Sequence, residues 1–149
     1  MADKTELLLA LYLEDIAYAR HHEDLRSTIT NLILVIGAAL AGFVGFDNKI
    51  NNSDIPAAIF LIIVGLVGAI FSYKHYERFH SHYARAREFR SSLDSIGELN
   101  IGKMKAQADK KHRKQFPRAH RLSAGWLWTA LPVAVSVLGL LVLIPAMRN

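Results

Sequence analysis

The chain has 149 residues, 52% of them hydrophobic, with a formal net charge of +5 and no cysteine. That is too apolar for an ordinary soluble domain of this size, and the missing cysteines exclude disulfides, thiolate metal sites and thiol catalysis. Three uncharged runs, 28–46, 55–73 and 122–147, are each long enough to cross a hydrocarbon core of ~30 Å. They predict an all-α integral membrane protein with three transmembrane helices, read as one membrane domain over 1–149.

Taken in order, residues 5–26 read as an amphipathic helix that starts near Thr5, with Leu9, Leu13, Ile16 and Arg20 along one edge. Its polar face is acidic. An interfacial helix prefers Lys and Arg there, because the cytoplasmic leaflet is anionic, so packing against a basic partner is the better expectation. No breaker separates Thr5 from Gly37, which allows the first span to continue the same helix. The first 26 residues hold six acids and no apolar run of the kind a secretory signal needs.

The first span carries Gly37, Gly42 and Gly45, and the second carries Gly65 and Gly68. Small residues at this spacing let helix backbones approach closely in lipid, within one chain or between chains. Between these spans lies a short polar loop, with Pro56 in the first turn of the next helix, where it costs no hydrogen bond. The second span runs without Gly or Pro into KHYERFHSHYARAREFRSSLDSI, predicting one helix over 55–96. In that continuation His75, Phe79, His82, Ala86, Phe89, Leu93 and Ile96 alternate spacings of four and three, the seam of a helix packed on another helix. We expect a homo-oligomer in which Gly37, Gly42, Gly45, Gly65, Gly68, His75, Phe79, His82 and Phe89 contribute to contacts between copies.

Gly97 and Gly102 are expected to break the helix, followed by a short basic helix or loop that Pro117 closes. Arg118, His120 and Arg121 then anchor the third span, with Trp126 and Trp128 at its interface. Thirteen Lys and Arg residues lie within 74–121, against five acids. Basic residues flanking spans stay on the cytoplasmic side, which places the N-terminus and the stalk 74–121 inside and the C-terminus outside.

The same region interleaves cations with aromatic rings, a composition that binds phosphates and stacks bases. Arg78, Arg85, Arg87, Arg90, Lys110, Lys111 and Arg113, with Tyr76 and Tyr83, are the candidate ligand-binding residues. Topology and contact with anionic lipid account for part of this charge, and the tail around Lys110 exceeds what orientation requires. The histidines lack the three- or four-residue spacing that brings two imidazoles of one helix to a metal, so no metal is expected. His75 and His82, one heptad apart, suggest a pH response of the seam instead. No GxSxG, Walker A, HExxH or GxGxxG pattern is present, and neither an enzyme nor a cofactor is expected. No charge lies inside a span, which disfavours a transporter with its own pathway. A pore built from several subunits remains open, as does a non-conducting scaffold that recruits a protein partner or binds anionic lipid.

The segments HHEDLRSTITNLILVIGA, HYERFHSHYARAREFR and KHRKQFPRAHRLSAGWLW resemble small bacterial multi-span membrane effectors that act beside nucleotidyltransferases in anti-phage defence, of the SLATT and Hailong channel types. A SLATT module has two spans, so the third span departs from that pattern. The resemblance implies a homo-oligomeric effector of the bacterial inner membrane. It also implies a cytoplasmic part that senses a nucleotide or single-stranded oligonucleotide, and a nucleotidyltransferase as partner.

Overall fold

The computed structural model describes residues 3–46, 49–97, 100–117 and 125–148. These form α1 (Lys4–Val44), a 3-10 turn (Asn52–Asp54), α2 (Ile55–Gly97), α3 (Ile101–Gln115) and α4 (Leu127–Ala146), with no strand among the described residues. Helices α1, α2 and α4 are each long and apolar enough to cross a membrane. The expected helix over 5–26 and the span 28–46 are one helix, α1, and α2 is unbroken where the apolar run gives way to the basic one. Helix α2 is described as far as Gly97, and Gly102, expected as a breaker, does not break a helix. It sits in the first turn of α3, where Asp94 accepts its N–H at 2.9 Å and that of Ile101 at 2.7 Å. A carboxylate at the positive end of α3 thus serves as its cap, while Asn100 before it takes the left-handed conformation (φ 53°). Arg118, His120 and Arg121, with the first residues of the run 122–147, lie outside the described residues.

The chain divides into two compact units. The apolar unit comprises 24–76 and 125–148. Its core has two layers, Ile33, Leu61 and Val135 in one and Val44, Ala58 and Val142 in the other. Glycines set the spacing of α2 and α4. A Cβ at Gly65 would lie 2.6 Å from the Pro132 carbonyl oxygen, and one at Gly139 would lie 2.7 Å from that of Ala58. The backbones touch there.

Pro132 has a second consequence. It lacks the N–H that would close a helical bond to the Trp128 carbonyl, and in lipid an orphaned carbonyl is costly. Ser72 Oγ donates to that oxygen at 3.0 Å and Thr30 Oγ1 at 3.4 Å, both from fully buried positions. Ser136 Oγ likewise donates to the Ile62 carbonyl at 3.1 Å. The polar residues at span depth are therefore mostly spent inside the chain. Asn31 differs, because its side chain lies on the exposed face of α1. Arg26 is buried, with its guanidinium 5.4 Å from the centre of the Tyr76 ring and 5.8 Å from that of Trp128.

The basic unit comprises 3–23 and 77–117. Here the first part of α1 buries Asp15 and Ala19 and half-buries Leu8, Tyr12, Ile16 and His22. The edge expected to be apolar and packed is instead largely open, with Leu9 and Leu13 exposed. The acidic helix does pack on the basic one, through a stripe centred on a carboxylate.

Gly65→Ala forces a methyl group into backbone, whereas Gly42 has nothing within 4 Å of its added Cβ. Gly65→Ala should lower stability by about 1–3 kcal/mol, the usual cost of overpacking, and Gly42→Ala should not. Thermal unfolding in detergent, followed by near-ultraviolet circular dichroism, distinguishes them; equal transitions would contradict this packing.

Candidate functional site

The site is built on one face of α2. Tyr83, Arg87 and Arg90 follow each other at four and three residues, so they stand one above another along the helix. Helix α3 supplies Lys105, whose Nζ donates to the Tyr83 hydroxyl at 3.2 Å. Helix α1 supplies Tyr12 and Ile16, and Ala86 forms the floor. Together these residues enclose a cleft of about 90 Å³.

Three cations converge on one phenol. The Lys105 ammonium lies 5.8 Å and the Arg87 guanidinium 5.6 Å from the centre of the Tyr83 ring. The hydrogen bond from Lys105 holds the Tyr83 hydroxyl below its ordinary pKa; partial burial opposes this, and the charges of Lys105, Arg87 and Arg90 reinforce it. The phenol therefore reports a positive potential in the cleft.

Beside the cleft lies a second polar cluster in which charge is balanced. His82 Nδ1 is 2.7 Å from Asp15 Oδ1, and Arg85 reaches the same carboxylate through Nε at 3.3 Å and Nη2 at 3.1 Å. Burial pushes the Asp15 carboxyl up, but hydrogen bonds from His82 and Arg85 and the adjoining positive charge outweigh it, leaving its pKa below the usual range. An ionised carboxylate only accepts, so the Nδ1–H of His82 donates to it. The 2.7 Å separation between Arg85 Nη2 and His82 Nδ1 is then an approach of two donors to one acceptor. The imidazole also stacks on Tyr18 at 5.1 Å and faces His22 at 5.4 Å.

Of the expected ligand-binding residues, the structure brings Arg87, Arg90 and Tyr83 together. Arg85 is engaged with Asp15, and Tyr76 lies under Arg26 in the apolar unit. Arg78, Lys110, Lys111 and Arg113 are exposed outside the cleft. Lys105 was expected only as one of the basic residues of the tail that favours a ligand, and Tyr12 and Ile16 were not anticipated at the site, because no spacing within α2 points to residues of α1. Asp15 was legible in principle, since Tyr12, Asp15 and Ala19 continue a four-and-three stripe.

Of the expected contacts between copies, Gly37, Gly65 and Gly68 approach Val135, Pro132 and Ile33 of the same chain. His82 faces Asp15, His75 stacks on Phe71 at 6.3 Å, and Phe79 stacks on Tyr83 at 5.8 Å. Phe89 is half-buried, whereas Gly42 and Gly45 face outward. No protein family, characterised protein or solved structure matches this chain.

Because the Asp15 pKa is depressed by folding, its contribution is complete above the unfolded carboxylate value and fades as the pH falls through the folded one. Arg85 is half-exposed and can rehydrate, so Asp15→Asn should cost about 1.5–3 kcal/mol at pH 7, the range for charge-assisted hydrogen bonds. The gap between wild type and variant should close only below about pH 4. Denaturant unfolding across that range tests this, and a gap independent of pH would contradict it.

Proposed function

We propose that the chain is a homo-oligomeric membrane effector that forms a pore or channel, gated by a nucleotide or short oligonucleotide bound to its basic region. The observation that carries this reading is the cleft. Arg87, Arg90 and Lys105 face a common space without a carboxylate among its lining residues, while nearby Arg85 is neutralised by Asp15. Such a space favours a phosphate, and Tyr83 and Tyr12 add ring faces for a base.

Helix α2 holds the cleft residues and one of the spans, so occupancy of the cleft acts on a continuous element. Contact between copies is best supported along α1, where Asn31, Val35, Ala38, Gly42 and Gly45 recur at four and three on the exposed face. An amide facing hydrocarbon seeks a polar partner at its own depth, and the same residue of a second copy provides one. The excess of Lys and Arg in 74–121 favours a cytoplasmic basic unit, hence an N-terminus inside and a C-terminus outside. The resemblance to defence effectors favours the bacterial inner membrane and a partner nucleotidyltransferase.

Reconstitution in liposomes tests the reading. Short single-stranded oligonucleotides should change ion flux through the wild type and not through the variant Arg87→Gln/Arg90→Gln/Lys105→Gln. The same variant should reduce the slope of log affinity against log salt by about 2, as expected when three phosphate contacts to a single strand are removed. Gly42→Leu should lower the oligomer mass without unfolding the chain. Absence of flux under every ligand condition would contradict the pore, and unchanged affinity in the triple variant would contradict the site.

A further inference from the structure

The cleft of the basic unit is small beside the ligand proposed for it. Its volume of about 90 Å³ is well under the ~300 Å³ at which pockets begin to enclose a whole small molecule. Only one group of a nucleotide chain fits there. Arg87, Arg90 and Lys105 bring three positive charges to that group, with no carboxylate among the lining residues, and Ile16 and Ala86 add apolar wall. Tyr83 is already engaged on two sides. Its hydroxyl accepts from Lys105 at 3.2 Å, and Phe79 stacks nearly parallel to its ring at 5.8 Å.

A phosphodiester in the interior of a strand matches this space poorly. It carries one negative charge, which leaves two of the three cations uncompensated, and it brings a sugar on each side. A strand passing through a groove also stacks successive bases on aromatic faces, and here Phe79 covers one face of Tyr83. A terminal phosphomonoester differs on each count. It carries about −1.5 to −2 charge at pH 7, presents three oxygens and has a sugar on one side only. Arg87 and Arg90, neighbours along α2, can grip those oxygens in pairs through their planar forks, while Lys105 adds a point charge from α3. We infer, on the reading of the cleft as the ligand site, that it selects the terminal phosphate of a nucleotide or oligonucleotide, with Arg87, Arg90 and Lys105 as the selecting residues and the rest of the ligand outside.

Calorimetry on the full chain in nanodiscs of neutral lipid tests this, with tetrathymidylate carrying a phosphate at its 5′ end, at its 3′ end or at neither. One of the phosphorylated forms should bind at least about tenfold tighter than the unphosphorylated one, as expected for added charge-assisted hydrogen bonds. Converting that phosphate to its methyl ester keeps the group but removes a charge, and should cancel the gain. Thymidine monophosphate should compete for the same site. Arg87→Gln/Arg90→Gln/Lys105→Gln should abolish the preference; none of the three side chains is fully buried, and glutamine keeps the helices because its propensity is close to theirs. Equal affinity of all forms, lost together in the triple variant, would overturn the terminal-phosphate selection and leave the cleft as the ligand site. A preference that survives the triple variant would overturn both, because the phosphate would then lie elsewhere. So would the absence of binding by every form.

Discussion

One spacing constrains the whole chain. Along α2, every position in the series Ala58, Leu61, Gly65, Gly68, Ser72, His75, Phe79, His82, Ala86, Phe89 and Leu93 is buried or half-buried. The alternation of three and four holds from a span into a basic helix without a register change, which is what keeps a single face of a long helix turned inward. The residue types on that face change with surroundings. Where lipid surrounds the helix, glycine and serine serve close backbone contact and orphaned carbonyls. Where cations surround it, histidine, phenylalanine and alanine serve an interface with a carboxylate at its centre.

That carboxylate divides the positive charge of the basic unit. Asp15 takes up Arg85 and the donor of His82, and burial makes the arrangement demanding, because a buried anion must be fully hydrogen-bonded. Arg87 and Arg90, on the same helix, have no such partner among the described residues and meet Lys105 around Tyr83. The result is a balanced cluster next to an unbalanced one. A dense charge run would otherwise look uniform. In the structure Arg85 is engaged in holding α1, Arg87, Arg90 and Lys105 gather around Tyr83, and the other cations of α3 are exposed.

Much of this was legible in the sequence. Uncharged runs gave the three spans, and the absence of Gly and Pro through 74–96 gave the continuity of α2. The stalk seam was readable from His75 onward but was assigned to contacts between copies, whereas His82 meets Asp15 of its own chain. Periodicity reports that a face is buried, never against what. For the same reason Gly65 and Gly68 looked like assembly residues, and only the proximity of Pro132 and Ile33 shows that they serve the fold. Tyr12, and the placement of Lys105 beside Tyr83, were hidden because a cleft shared by three helices has no spacing in one sequence segment. Gly102 misled as a breaker because a carboxylate seven and eight residues upstream caps the helix that contains it.

The central claim is that the cleft around Tyr83 holds a phosphate-bearing ligand against uncompensated cations. Phenolate absorbance during a pH titration of the intact protein tests it directly, with Tyr83→Phe subtracted to isolate one of five tyrosines. In the free protein Tyr83 should ionise below its ordinary value, because Lys105, Arg87 and Arg90 favour the phenolate. A bound oligonucleotide neutralises those cations, so the titration should move upward, toward about 10. A Tyr83 titration unchanged by saturating oligonucleotide would contradict the account.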